Sequence, residues 1–158
     1  MMGFTSKQMT ALIKSLEKNL LAYGANCGVG SSDLLRTLLG FDETKHALIA
    51  KGNAGIPKYQ DGQIHYNGTP ELMADYACLA RDSGAKIIGG CCGTTPRHLR
   101  KMKDALENRL AKPTPTHKQI TQSLGAFSSQ HDGTENVTQT RRISRREKIK
   151  IKKLNQNQ

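Results

Sequence analysis

Two stretches of the chain place thiols where the backbone should turn. In Gly89-Gly90-Cys91-Cys92-Gly93-Thr94 two of the four cysteines are adjacent, with glycines on both sides. In Gly24-Ala25-Asn26-Cys27-Gly28 a third thiol has the same surroundings. Three thiols that meet can hold a metal. Zinc takes thiolate ligands tetrahedrally, and a catalytic site keeps three protein ligands and a fourth position for water or substrate. A substrate thiol that binds there is deprotonated, whereas a free thiol, with a pKa of about 8.5, is mostly protonated at neutral pH. Such a site suits alkyl transfer to sulfur. Spacing alone leaves a second reading open, because cysteine also packs as a small apolar side chain. That is the reading for Cys78, inside a helical pattern. Adjacent residues on a regular strand point to opposite faces. Cys91 and Cys92 can therefore share a metal only if the strand ends between them, an ending that Gly93 permits.

The elements that must position these thiols follow from periodicity. Residues 5–20 read as a helix, capped by Thr5 or Ser6, with Met9, Leu12, Ile13, Leu16 and Leu20 recurring at helical spacing. A strand over 21–26 leads to Cys27. A helix begins at Ser31-Ser32-Asp33, and a second strand, 47–51, ends in Gly52-Asn53-Ala54-Gly55. Residues 56–68 read as a long turn-rich loop. Thr69-Pro70 opens a helix with a cap and proline at its first position, and Gly84 stops it. A third strand, 86–90, leads to Cys91, and Thr95-Pro96 opens the last helix. Three strands alternating with helices predict an α/β fold with a parallel sheet. In such folds functional groups gather where strands end, which is where Cys27, Asn53, Cys91 and Cys92 all fall.

Beyond residue 113 Ser, Thr, Gln, Asn and charge dominate, which predicts a disordered tail over 113–158. Net charge is +11. Residues 141–153 hold eight Lys/Arg and one Glu, so the basic character belongs mainly to this tail. Residues 143–154 read as a short basic helix on a partner. Hydrophobic residues make up 36% and aromatics 4%, lean for a full-length core. No apolar run approaches the roughly 20 residues that span a bilayer, and no signal-peptide pattern opens the chain. Four cysteines, two of them adjacent, make a poor disulfide framework, so a reducing cytoplasm is the expected compartment. Asn26 and Asn53 read either as ligand contacts or as turn residues. His98 reads as a ligand or a cap. The backbone N–H groups of Thr94 and Thr95 could face an anion at a helix start. His46, His65, His117 and His131 share no ligand spacing and are expected at the surface.

GANCGVG (24–30) and IIGGCCGTTPRHL (87–99) resemble the two cysteine motifs of the zinc-dependent homocysteine S-methyltransferase family. GNAGIP (52–57) and IHYNGTPELMADYA (64–77) resemble its bacterial betaine–homocysteine methyltransferase branch. The resemblance covers residues 1–112, and the tail matches in composition only. It implies the last three βα units of a (β/α)8 TIM barrel, with residues 1–112 the C-terminal portion of a homocysteine-binding domain. It implies that Cys27, Cys91 and Cys92 are zinc ligands and that Cys78 is not. The family chemistry is methyl transfer to the homocysteine thiolate, giving methionine; betaine is the donor the resemblance favours over S-methylmethionine or a methylfolate. A whole barrel takes about 250 residues, so the barrel is expected to be incomplete. An N-terminal half-barrel is then an implied partner, and the isolated chain is expected to be inactive and marginal alone, with a sheet edge exposed. The competing expectation is a non-catalytic binding module whose basic tail meets a polyanion; the first reading involves neither nucleic acid nor membrane.

Overall fold

The computed structural model describes residues 4–16 and 20–129. The first helix, α1 (Ser6–Ser15), starts at a reciprocal cap: the Thr5 hydroxyl accepts from the Gln8 N–H, and the Gln8 side chain accepts from the Thr5 N–H. Two such bonds satisfy donors that a helix start otherwise leaves orphaned. The helix is shorter than the 5–20 expected from periodicity. Leu12 and Leu16 are exposed, so Ile13 is its last side chain in the core and the ladder ends at Leu16. Residues 17–19 lie outside the described residues.

Strands β1 (Ala22–Asn26), β2 (Ala47–Gly52) and β5 (Ala85–Gly90) form a parallel sheet in the order β1-β2-β5. Helix α2 (Ser31–Leu39) connects β1 to β2, α3 (Pro70–Asp82) precedes β5, and α4 (Pro96–Asn108) follows it. This is the βα alternation the sequence predicts; the described strands form an open sheet and not a closed barrel. Tyr76, Leu35, Leu38 and Met73 are fully buried between the helices and the sheet. Small residues at Ala74, Cys78 and Ala105 bring α3 and α4 together, which places Cys78 in the core as expected. On the opposite face, Ile49 pairs in register with Ile87, and Ile87 stays 49% exposed.

The segment expected as a loop over 56–68 is instead an antiparallel hairpin, β3 (Pro57–Gln60) and β4 (Gln63–Tyr66). Its turn, Asp61-Gly62, has φ of 51° and 80°. Two residues with positive φ are what a two-residue hairpin turn of primed type requires, and Asp-Gly supplies them. Strand propensity was hidden because every side chain of the hairpin except Tyr66 faces solvent.

Part of the stretch expected to be disordered is structured. Helix α5 (His117–Leu124) starts at a Thr116–Gln119 capping box and buries Ile120 completely. Leu124 and Phe127 pack on the same core, the Ser128 N–H donates to Asp33, and Arg36 lies over the Phe127 ring at 4.4 Å. Polar composition concealed these few apolar anchors. The basic run 141–153 and the expected helix over 143–154 lie outside the described residues. Among the described residues no helix is long and apolar enough to cross a membrane.

Candidate metal centre

Cys27 follows the last residue of β1. Its N–H still donates to Lys51 O, 2.9 Å away, so one more ladder bond forms before the chain turns. The turn is sharp: Cys27 has φ 60° and Gly28 φ 80°. A non-glycine residue in the left-handed region costs about 1 kcal/mol or more and persists only where its surroundings impose it.

Cys91 sits just past β5, its N–H donating to Gly52 O at 2.8 Å. The Thr94 N–H then returns to Cys91 O at 3.2 Å and closes a four-residue turn. Gly93 takes the position with φ 74°, and a Cβ there would lie 2.4 Å from the Tyr66 side chain. Glycine is therefore required twice, for its backbone angle and for the space that Tyr66 fills. Because the strand ends before both cysteines, strand alternation no longer separates them.

Asn53 joins the two thiol turns. It is 1% exposed. Its Nδ2 donates to Gly28 O at 3.1 Å, its Oδ1 accepts from the Cys92 N–H at 3.1 Å, and its carbonyl accepts from the Ser31 hydroxyl at 2.8 Å. The Ala54 N–H donates to Cys92 O at 2.9 Å. Of the two readings of Asn53 the structure shows the turn residue: its amide holds Cys27's loop against Cys92's. Asn26, the last residue of β1, is exposed.

The result is three sulfurs in one place. Cys27 Sγ lies 3.6 Å from Cys92 Sγ, and Cys91 Sγ lies 3.9 Å from Cys92 Sγ. All three are within 4.8 Å of one another. Three thiolates at about 2.3 Å from one tetrahedral zinc stand about 3.8 Å apart. A disulfide needs about 2.05 Å, and all three cysteines are free. The spacing fits a shared ion. Cys27 and Cys92 also shift each other's titration. The bond to Cys92, then Asn53, pulls Cys27 below the ordinary thiol range, while the bond to Cys27 pushes Cys92 up.

The remaining candidates separate cleanly. His98 is buried; its Nδ1 accepts from the Thr95 N–H at 3.1 Å, which leaves a proton on Nε2 to donate to Gly68 O at 2.9 Å. This is the capping role, and both ring nitrogens are committed. The Thr94 N–H is spent on Cys91 O and the Thr95 N–H on His98, so neither awaits an anion. His65 and His117 are exposed, His46 is half-buried, and His131 lies outside the described residues. The residue that sequence reasoning missed is Tyr66. Its ring lies against Gly93, and the neighbouring Cys92 thiol keeps its phenol protonated to higher pH than usual. The Asp61-Gly62 hairpin signal was the clue to its placement.

A family model described as homocysteine S-methyltransferase matches residues 1–106. Methionine synthase of Mycobacterium tuberculosis (strain ATCC 25618 / H37Rv) is 33% identical over 89 residues. That alignment takes in 54% of this chain and 7% of the length of that relative. Both thiol turns lie within the matched residues, and the chain belongs to the homocysteine S-methyltransferase family.

Proposed function

We propose that this chain carries the metal side of a zinc-dependent homocysteine S-methyltransferase site, with Cys27, Cys91 and Cys92 as the zinc ligands. The observation that carries the reading is the convergence of three free thiols from two strand ends, at 3.6 and 3.9 Å. Bound zinc would supply a Lewis-acidic position where a substrate thiol is a thiolate at neutral pH. The chain's own contribution is placement. The Cys27 and Cys91–Thr94 turns aim the thiols at one point, and Asn53 keeps the turns in register. The homocysteine sulfur then attacks the donor's methyl carbon: the S–C bond forms, the methyl's C–N bond to betaine breaks, and its electron pair stays on the nitrogen of the departing dimethylglycine. Betaine is the donor we assign, from the likeness of residues 52–57 and 64–77 to the betaine branch.

In this reading residues 1–112 belong to the homocysteine-binding domain and the three strands are the last three of a (β/α)8 barrel. The outer edges of β1 and β5 and the exposed face around Ile87 suit further strands of that barrel, the N-terminal half, as partner. Three unpaired thiols suit a reducing compartment, the cytoplasm.

Metal analysis of the purified chain tests the site. One zinc per chain is expected in the wild type and none in Cys91→Ala. A folded wild-type chain that takes up no zinc overturns the reading. Methionine formation from homocysteine, with betaine set against a methylfolate and the N-terminal half supplied, tests the donor.

A further inference from the structure

The face of the sheet away from the helices changes character along its strands. Alternation decides what that face carries. On β2, Ala50 is buried in the core and a Cβ on Gly52 would meet Tyr76 and Ser31, so Ile49 and Lys51 point the other way. On β5, Ile88 packs on the core, which leaves Ile87 and Gly89 on the open face. On β1, Ala25 packs on the core and Asn26 is exposed. Register sorts these residues into rows. Gly24, Ile49 and Ile87 make an apolar row at mid-sheet. Asn26, Lys51 and Gly89 make a polar row two residues further along. The thiols come next: Cys27 directly follows Asn26, its N–H bonded to Lys51 O, and Cys91 stands two residues after Gly89. The Lys51 side chain lies across this row, its Cγ 3.7 Å from where a Cβ on Gly89 would stand. The three strands hold no acidic residue, and their other lysine, Lys86, lines the cavity at the amino ends. Among the described residues no ion pair includes Lys51.

We propose that Lys51 is a substrate-binding residue: its ammonium receives the α-carboxylate of the amino acid whose sulfur is held at the thiol cluster. The assignment rests on the zinc and barrel reading above. In that reading the open face is the barrel's interior, where a cation left without an anion is costly. The residues of this face supply no anion, so the ligand has to bring one. Homocysteine does, and at a suitable reach: two residues of strand, from the polar row to the thiols, span about 6–7 Å, close to the length of its chain from sulfur to carboxylate. Betaine also carries a carboxylate, but attack on its methyl group is in line. The departing nitrogen and everything attached to it then lie on the far side of the methyl from the sulfur. The carboxylate on the sulfur's own chain is the one that can fold back along the sheet to Lys51.

The test uses the full chain loaded with zinc, as wild type and as Lys51→Met, which keeps an unbranched side chain and removes only the charge. Lys51 is exposed, so the variant is expected to fold and to take up the same zinc. Binding of two thiols is measured by isothermal titration calorimetry: homocysteine, and 3-aminopropane-1-thiol, which is homocysteine without its carboxylate. Lys51→Met should bind homocysteine about 10-fold more weakly, the low end of what a hydrogen bond to a charged group contributes. It should bind the carboxylate-free thiol as the wild type does. Lys86→Met, on the same sheet at the amino ends, should change neither affinity. Homocysteine binding that is unchanged in Lys51→Met, or that falls equally for both thiols, overturns the role of Lys51 and leaves the zinc reading standing. Titration with betaine is the third arm: a loss of betaine binding in Lys51→Met with homocysteine unaffected would assign the lysine to the donor and overturn the proposal. A wild-type chain that holds no zinc overturns the zinc reading and this proposal with it.

Discussion

The two ends of the sheet are built from the same three strands and differ in almost everything else. At the carboxyl ends, short glycine-containing turns carry the thiols, and the backbone around them is accounted for bond by bond: Cys27 to Lys51, Cys91 to Gly52, Cys92 to Asn53. At the amino ends, a cavity of about 470 Å³ opens among Tyr23, Asp42, Arg81, Asp82, Lys86 and Lys112. Its charges are of both signs and none of the three clustered cysteines lines it. A cavity of that size is large enough for a ligand, yet several of its polar groups are spent on one another: Arg81 and the Lys112 N–H both donate to Asp82, and Thr44 donates to the Tyr23 hydroxyl. Site-forming capacity here comes from strain and committed hydrogen bonds, and empty volume does not supply it.

That contrast can be broken by perturbing each end in turn. The largest effect belongs to Cys91→Ala, which should abolish stoichiometric zinc uptake in metal analysis. Next is Asn53→Ala. It removes both links between the thiol turns and leaves the Cys92 N–H without its acceptor, so zinc affinity should fall about 10–100-fold in chelator competition. Tyr76→Phe probes the support beneath the site. The buried Tyr76 oxygen accepts from the Gly52 N–H at 2.8 Å, and burial keeps that phenol protonated far above its ordinary range. Losing the acceptor strands a buried donor, which should cost about 1–3 kcal/mol in urea unfolding. The smallest effect is expected from Lys86→Ala at the amino end: a stability change within about 0.5 kcal/mol and unaltered zinc uptake. A large loss of zinc from Lys86→Ala would show that the two ends are coupled and would remove the distinction.

Much of this was legible in the residues. The order of strands and helices followed from apolar periodicity, because each helix and strand buries one face and repeats accordingly. The hairpin and α5 were not. Tyr59 and Ile64 point to solvent, and α5 is held by Ile120 with Leu124 and Phe127 within a polar stretch. Periodicity reports burial, so it says little about an element that is exposed or anchored by a few side chains. Asp61-Gly62 and the Thr116–Gln119 cap were local signals that outweighed it.

The thiol site divides in the same way. Residue type and local turn chemistry determined by themselves that Cys27, Cys91 and Cys92 stand at strand ends, and that Cys78 does not. Convergence needed the fold. Only the parallel pairing of β1 and β5 on either side of β2 brings thiols so distant in sequence to 3.6 Å, and the buried Asn53 between them, with backbone bonds to Lys51, Gly52 and Ala54, holds the two turns. Likewise, only the return of the hairpin puts Tyr66 over Gly93. Local sequence can specify a turn because the relevant sterics span a few residues. A site shared by distant turns depends on pairing across the sheet, and that is decided by the tertiary structure.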